Sequence, residues 1–426
     1  MIVSAGLTKT TSYKVIIPFY AFAALSFLTA ATLLFKFADE FKGHYFQPHI
    51  LAITHTMALG WGTMMILGAS HQLVPVMVEG KLYSNFLAYL SFALAAAGIP
   101  LLVYAFYTFN MQWPAQYGAI LINAAILSFL ANLTGSLLGS KSKNVHAIFV
   151  YTATLWLFTT TLMGLLLIYN FTTPVFSKDS LHFLSLHAHL GIAGWFLLMV
   201  MGVGSRLIPM FMISKYTHEK LLWTIYGLVN GGLLSFAYIF IYTSSGALLF
   251  IPTIAVAAAI ALFVVFIYQA YNKRIRRQVD NQVRISLFSI LLMAIPVAFL
   301  VIFTAMLILD HADTSLVVAY GFSIFFGWIT AIIFGMTFKT LPFIVWNKVY
   351  HHRAGLGKTP NPKDLYVDKV FNVMGAAYLL GFLLFIAGIL TSNAMLLQSA
   401  SFGILLAALL YNWNVFAVIF HTPPKK

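Results

Sequence analysis

Apolar runs separated by short polar or Gly/Pro-rich breaks recur along the whole chain. They predict twelve membrane-spanning helices, near residues 14–36, 50–77, 83–108, 114–139, 146–170, 184–213, 220–243, 246–271, 285–309, 315–345, 369–391 and 394–420. Three of these runs share one frame. Leu186–Pro209 reads LHAHLGIAGWFLLMVMGVGSRLIP, His55–Pro75 reads HTMALGWGTMMILGASHQLVP, and Phe322–Pro342 reads FSIFFGWITAIIFGMTFKTLP. In each copy a Gly-Trp pair (Gly60-Trp61, Gly194-Trp195, Gly327-Trp328) lies 14 to 15 residues before the proline, and a second glycine (Gly68, Gly202, Gly335) lies seven before it. The copies are 134 and 133 residues apart, so the chain is a threefold internal repeat. Only the first two copies carry histidine.

The expected fold class is therefore all-α: a polytopic membrane protein of twelve transmembrane helices in three pseudo-threefold four-helix repeats. The repeats fall at approximately 1–140, 141–272 and 273–426 within a single integral membrane domain, 1–426. The second helix of each repeat would line the inner wall of the ring. Small residues let transmembrane helices approach and indoles fill the gaps, which accounts for the Gly-Trp pairs but not for the histidines.

Composition agrees. Hydrophobic residues make up 61% of the 426, charged residues 8%, and the mean hydropathy is +0.91, far outside the soluble range. The first apolar run reads as a retained span, because MIVSAGLTKTTSYK lacks the short core and small-residue cleavage site of a signal peptide. Cysteine is absent, which excludes disulfides, thiolate metal sites, iron–sulfur clusters and covalent c-type haem. Any metal must be held by histidine, methionine or oxygen.

The net charge of +14 sits in short loops, so it reads as a topology signal and not as a nucleic-acid surface. A cytoplasmic N-terminus turns the loops with Lys141 and Lys143, Lys215 and Lys220, Lys273 to Arg284, and Lys348 to Lys369 inward, with the Lys425-Lys426 tail. Only Lys36, Lys42 and Lys178 then face outward among 24 basic residues. This predicts a bacterial-type inner membrane location with both termini cytoplasmic, and the lipid bilayer as the first partner. The connection from Asn347 to Asp368, with His351-His352, reads as a solvated loop.

His55 and His189 each stand 20 residues before their proline, at one depth on two equivalent helices. Paired imidazoles at one depth are the donor set of a bis-histidine haem. His187 is two residues from His189, about 200° around the helix, so the two cannot share one metal. With His49, His44 and His182, His187 is instead a candidate for an outer copper site. His71 lies about 24 Å further along the second span and, with Arg206 and Lys339, is expected at the cytoplasmic interface near lipid or quinone headgroups. His146, His218, His311 and His421 fall at span ends. All ten carboxylates lie in loops or at span ends, and the seventh span has no histidine.

With these residues the chain resembles subunit I of the heme–copper oxidases, especially the cytochrome cbb-type branch, and the related NnrS proteins. The resemblance covers the twelve-span pattern, but its specific motifs are confined to His55 in the second span and to His187-Ala188-His189, Gly194-Trp195 and Pro209 in the sixth. It implies that His55 matches the helix-two ligand of a low-spin haem. His189 then matches a copper ligand by position or a haem ligand by motif. The family's paired copper histidines in helix seven and its haem ligands in helix ten have no counterpart, since Phe322 stands where a histidine is expected. The helix-six tyrosine of some oxidases is replaced by Ala193, and the glutamates of nitric oxide reductases are missing. A standard binuclear oxygen-reducing centre is therefore not expected.

The resulting expectation is a non-covalent haem b held by His55 and His189, with Trp61 and Trp195 beside it and Gly60, Gly62, Gly191 and Gly194 leaving room for the macrocycle. The role would be respiratory electron transfer or nitric-oxide-related metabolism; any enzymatic activity would be that of an oxidoreductase. A quinol or cytochrome would donate electrons, and assembly into an oligomer or respiratory complex is left open. The alternative is a haem or copper transporter or assembly factor using outer histidines with Met57, Met199 and Met201, and a third is a scaffold subunit.

Overall fold

The computed structural model describes residues 11–77, 80–140, 144–243, 245–309, 313–353 and 359–423. The chain is 83% helix, without strands among these residues. Twelve helices are long and apolar enough to cross a bilayer: α1 Tyr13–Lys36, α2 Pro48–Pro75, α3 Asn85–Tyr107, α4 Trp113–Leu138, α5 Val145–Asn170, α6 Leu184–Phe211, α7 Glu219–Tyr242, α8 Gly246–Asn272, α9 Asn281–Ile308, α10 Thr314–Tyr350, α11 Asp368–Leu390 and α12 Ala394–Ile419. The protein is a multi-pass, all-α membrane protein, and its outer surface contacts lipid. The expected ends hold to within a few residues, except that α9 starts earlier and α10 runs on to Tyr350.

By contacts the chain divides into two compact units. One is Met1–Thr11, Ser70–Val279 and Val297–Ala312, so far as those stretches are described; the other is Ser12–Ala69, Asp280–Pro296 and Asp313–Lys426. The three helices that carry the shared frame are the most buried of the twelve. The apolar stretches of α2, α6 and α10 are 72%, 67% and 78% buried, against at most 56% for any other span.

The frame's second glycine explains part of that burial. A Cβ on Gly68 would lie 2.6 Å from Phe19 Cβ of α1, one on Gly202 would overlap Phe149 Cβ of α5, and one on Gly335 would overlap Ser286 Oγ of α9. Each repeat thus presses its second helix onto its first at a position that admits no side chain. The third and fourth helices pair the same way. A Cβ on Gly98 would sit 2.8 Å from the Gly118 carbonyl oxygen of α4, and one on Gly381 would sit 2.8 Å from the Ala400 carbonyl oxygen of α12.

The first and third repeats share finer detail. Asn132 of α4 accepts from Ser84 N at 2.9 Å and donates to Ser84 O at 2.9 Å, clamping the start of α3. Asn414 of α12 does the same to Val367 at the start of α11, at 3.0 and 3.2 Å. Buried amides in hydrocarbon need such full pairing, and a two-bond clamp supplies it. At their other ends α3 and α11 both close through a left-handed residue, Phe109 and Ser392, with Asn110 N bonded to Ala105 O at 2.8 Å and Asn393 N to Gly388 O at 2.9 Å.

Described residues at the end of the connection after α10 pack and pair with the helices. Trp346 Nε1 donates to Pro360 O at 2.6 Å, and Leu365 and Tyr366 are buried. Gln282 Nε2 donates to the Tyr366 hydroxyl. Burial, and then the Asp368 charge, raise the Tyr366 pKa, so that hydroxyl stays protonated. The expectation of a simply solvated loop is corrected here, because its aromatic residues find apolar cover and acceptors.

Candidate functional site

All three frame helices lose α-helical geometry at one register. A π-helical segment runs over Thr56–Thr63 in α2, Leu190–Leu197 in α6 and Ser323–Ile329 in α10. The residues immediately before these segments are His55, His189 and Phe322. A π turn accommodates an extra residue and shifts the helix face, and such turns concentrate at functional sites. The Gly-Trp pairs lie inside these segments.

The two histidines share one local bond. His55 Nδ1 bonds Leu51 O at 2.8 Å and His189 Nδ1 bonds Ser185 O at 2.8 Å, each reaching the carbonyl four residues back. A carbonyl only accepts, so the proton is on Nδ1. In the neutral ring Nε2 then carries the lone pair. Backbone bonds of this kind fix the tautomer and orientation of metal-ligating imidazoles, so each ring by itself has the form that a metal ligand needs.

The third register position is closed. Phe322 stacks on Phe385 at 4.3 Å, Phe326 at 4.9 Å and Phe382 at 6.0 Å, with Phe41 edge-on at 6.2 Å. The position where a helix-ten ligand is expected is the centre of an aromatic block.

His187 and His189 meet different helices, as their angular separation requires. A Cβ on Gly164 of α5 would lie 3.0 Å from His187 Cε1, whereas the His189 ring lies 5.0 Å from Phe236 of α7. Trp61 is fully buried, 4.8 Å from Phe27 and 5.1 Å from Tyr411. Its Nε1 donates to Thr330 Oγ1 at 3.1 Å, and Thr330 Oγ1 donates to Phe325 O at 2.7 Å, a carbonyl of the α10 π segment. Trp61 thereby ties the π segment of α2 to that of α10, a link that Thr330 gave no reason to expect. Trp195 is equally buried, 6.1 Å from Phe196.

One expected feature is corrected. A Cβ on Gly194 would meet Trp156 Cβ at 2.7 Å and one on Gly191 would meet Thr160 Cγ2 at 3.2 Å, so these glycines admit α5 and leave no gap for a macrocycle face. His71 is buried: it is 1% exposed, its ring 5.2 Å from Phe129 of α4 and its carbonyl accepting from Thr11 Oγ1 at 2.7 Å. Its face of α2 turns inward, which depth alone does not reveal. Of the residues grouped with it, Arg206 is half-buried and Lys339 pairs with Asp280 at 2.6 Å.

The residues of the copper alternative are engaged locally. His49 Nδ1 bonds Glu40 Oε1 at 2.6 Å with its ring stacked on Phe37 at 3.6 Å, His44 Nδ1 accepts from Phe46 N at 3.0 Å, and His182 Nε2 lies 3.2 Å from Lys178 Nζ. Among the described residues no three His, Asp or Glu side chains converge to hold a metal ion. His146 pairs with Ser205 at 2.9 Å and His421 with Tyr350 at 2.8 Å, and His218 Nδ1 caps α7 by accepting from Leu221 N at 3.1 Å. His351 and His352 are exposed, and His311 lies outside the described residues, as do Lys141, Lys143, Asp310 and Lys425-Lys426. The described carboxylates lie in connections or in the first turn of a span, and Glu79 lies outside the described residues. The chain matches no protein-family model. No curated protein is significantly similar to it.

Proposed function

We propose that this protein is a haem-bearing membrane protein of respiratory electron transfer or nitric-oxide-related metabolism, with His55 and His189 as its axial-ligand candidates. The observation that carries this reading is their shared local geometry: the same position before a π segment, and the same Nδ1 bond to the carbonyl four residues back. The haem would be non-covalent, because the chain has no cysteine to attach it. When bound, it would supply a one-electron carrier. The chain's own part is to orient the two imidazoles and exclude water with apolar walls. The asymmetry of basic loops supports a bacterial-type inner membrane with both termini cytoplasmic; a quinol or cytochrome would be the electron donor.

A reduced-minus-oxidised visible spectrum with a pyridine haemochrome assay on the purified protein tests this. Near-stoichiometric haem b supports the reading. Absence of a chromophore together with haem- or copper-dependent flux into vesicles would favour the transporter reading, for which the buried Met57, Met199 and Met201 are the other available ligands.

Oxygen reduction at terminal-oxidase rates is not expected. Phe322 fills the helix-ten position, and α7 holds no histidine. No carboxylate among the described residues stands in a span interior. Oxygen consumption by protein free of other oxidases, driven by a reduced donor, measures this directly; turnover near tens per second or above would refute it.

A further inference from the structure

The connections that follow α6 and α8 are joined: Ser214 and Arg274 form an isolated antiparallel bridge, and Ile275 N donates to Ile213 O at 3.1 Å. Arg274 shapes this corner from within. Its guanidinium stacks on Tyr271 at 3.7 Å, and its two terminal nitrogens donate to Tyr271 O at 2.8 Å and to Arg277 O at 3.5 Å, so those two donors serve the turn. Lys215, Lys273 and Arg277 all project outward from it, with Lys273 over the Tyr216 ring at 4.9 Å. The carboxylates nearest in the chain are Glu219 and Asp280, and Asp280 pairs with Lys339 at 2.6 Å, so basic residues outnumber acidic ones along these connections.

A second observation is apolar. Ile213 has φ 52°, the left-handed conformation after a helix end that glycine normally takes. For a β-branched side chain this is costly. Yet Ile213 is 54% exposed, and Ile275, bonded to it through the backbone, is 62% exposed. The exposed Trp223 and Tyr268 flank it on α7 and α8, as aromatic side chains do at headgroup level. Two isoleucines held outward at the ends of membrane spans gain nothing from water.

We propose that this corner is a binding site for an anionic phospholipid. Lys215, Lys273 and Arg277 take the headgroup phosphate, and Ile213 and Ile275 rest in the acyl boundary. The charge selects the anion, and the isoleucine pair selects a lipid over a soluble phosphate.

The test is thermal unfolding of the full-length protein in a non-ionic detergent. It is titrated with phosphatidylglycerol, with phosphatidylcholine of the same chains, or with inorganic phosphate. Phosphatidylglycerol is expected to raise the melting temperature, with little effect of the other two. The Lys215→Gln/Lys273→Gln/Arg277→Gln variant, which leaves the Arg274 bonds intact, is expected to need about tenfold or more phosphatidylglycerol for the same shift. Ile213→Gly is expected to melt higher without lipid, since glycine suits the left-handed position, and to respond less to phosphatidylglycerol. Three results would overturn the proposal: an equal response to phosphatidylcholine or inorganic phosphate, an unchanged phosphatidylglycerol response in the triple variant, or an equal loss in a Lys348→Gln/Lys363→Gln/Lys369→Gln control. If the triple variant fails to fold, an undiminished response in Ile213→Gly overturns it alone.

Discussion

Replacing either His55 or His189 with alanine is expected to abolish the six-coordinate haem spectrum, while His71→Ala and His351→Ala leave it unchanged. The first two imidazoles are oriented by backbone bonds of 2.8 Å that place the lone pair on Nε2. His71 instead packs on Phe129, and His351 is exposed beyond the end of α10. Loss of an orienting partner alone commonly lowers metal affinity about 10–100-fold, so removal of a ligand is expected to exceed that. Visible spectra of the four purified variants, with haem content per chain, check it. If the His189 variant keeps an intact spectrum and a His187 variant loses it, the ligand is the neighbour that packs on Gly164. If neither His55→Ala nor His189→Ala changes the spectrum, the assignment fails.

Gly202→Leu and Gly335→Val are expected to leave little folded protein. At Gly202 the new side chain would occupy the position of Phe149 Cβ, and at Gly335 it would overlap Ser286 Oγ and approach Gln282 O at 2.5 Å. Neither obstacle is a flexible side-chain tip, so the helices themselves must part. Overpacking a close interior usually costs about 1–3 kcal/mol, and a backbone-level clash belongs at or above the top of that range. Gly375→Ala is the matched control, because nothing lies within 4 Å of a Cβ there. Membrane yield and melting temperature in detergent should fall sharply for the first two and hold for the third.

The parts of this fold that depend on composition over long windows were legible in the sequence. The hydropathy runs located all twelve spans, and the recurrence of Gly68, Gly202 and Gly335 correctly marked equivalent positions. Why those glycines recur became clear only with Phe19, Phe149 and Ser286 opposite them. The π segments were invisible, since moving a hydrogen bond from the fourth residue to the fifth changes no composition and no period long enough to detect. The same holds for the Leu51 and Ser185 carbonyls, which are backbone groups and leave no residue signature. The burial of His71 leaves no mark in the sequence, because counting residues gives depth along a helix but not the face it turns to its neighbours. Gly191 and Gly194 were misread as free space. In a bundle, a missing side chain is usually filled by the next helix, here by Thr160 and Trp156.

The low-temperature electron paramagnetic resonance spectrum of the oxidised, purified protein tests the central claim most directly, because it reports the iron's axial ligands. A low-spin ferric signal of two imidazole ligands is expected in the unaltered chain, replaced by high-spin iron in both His55→Ala and His189→Ala. An unaltered chain without low-spin iron, or a low-spin signal that survives both substitutions, would contradict it.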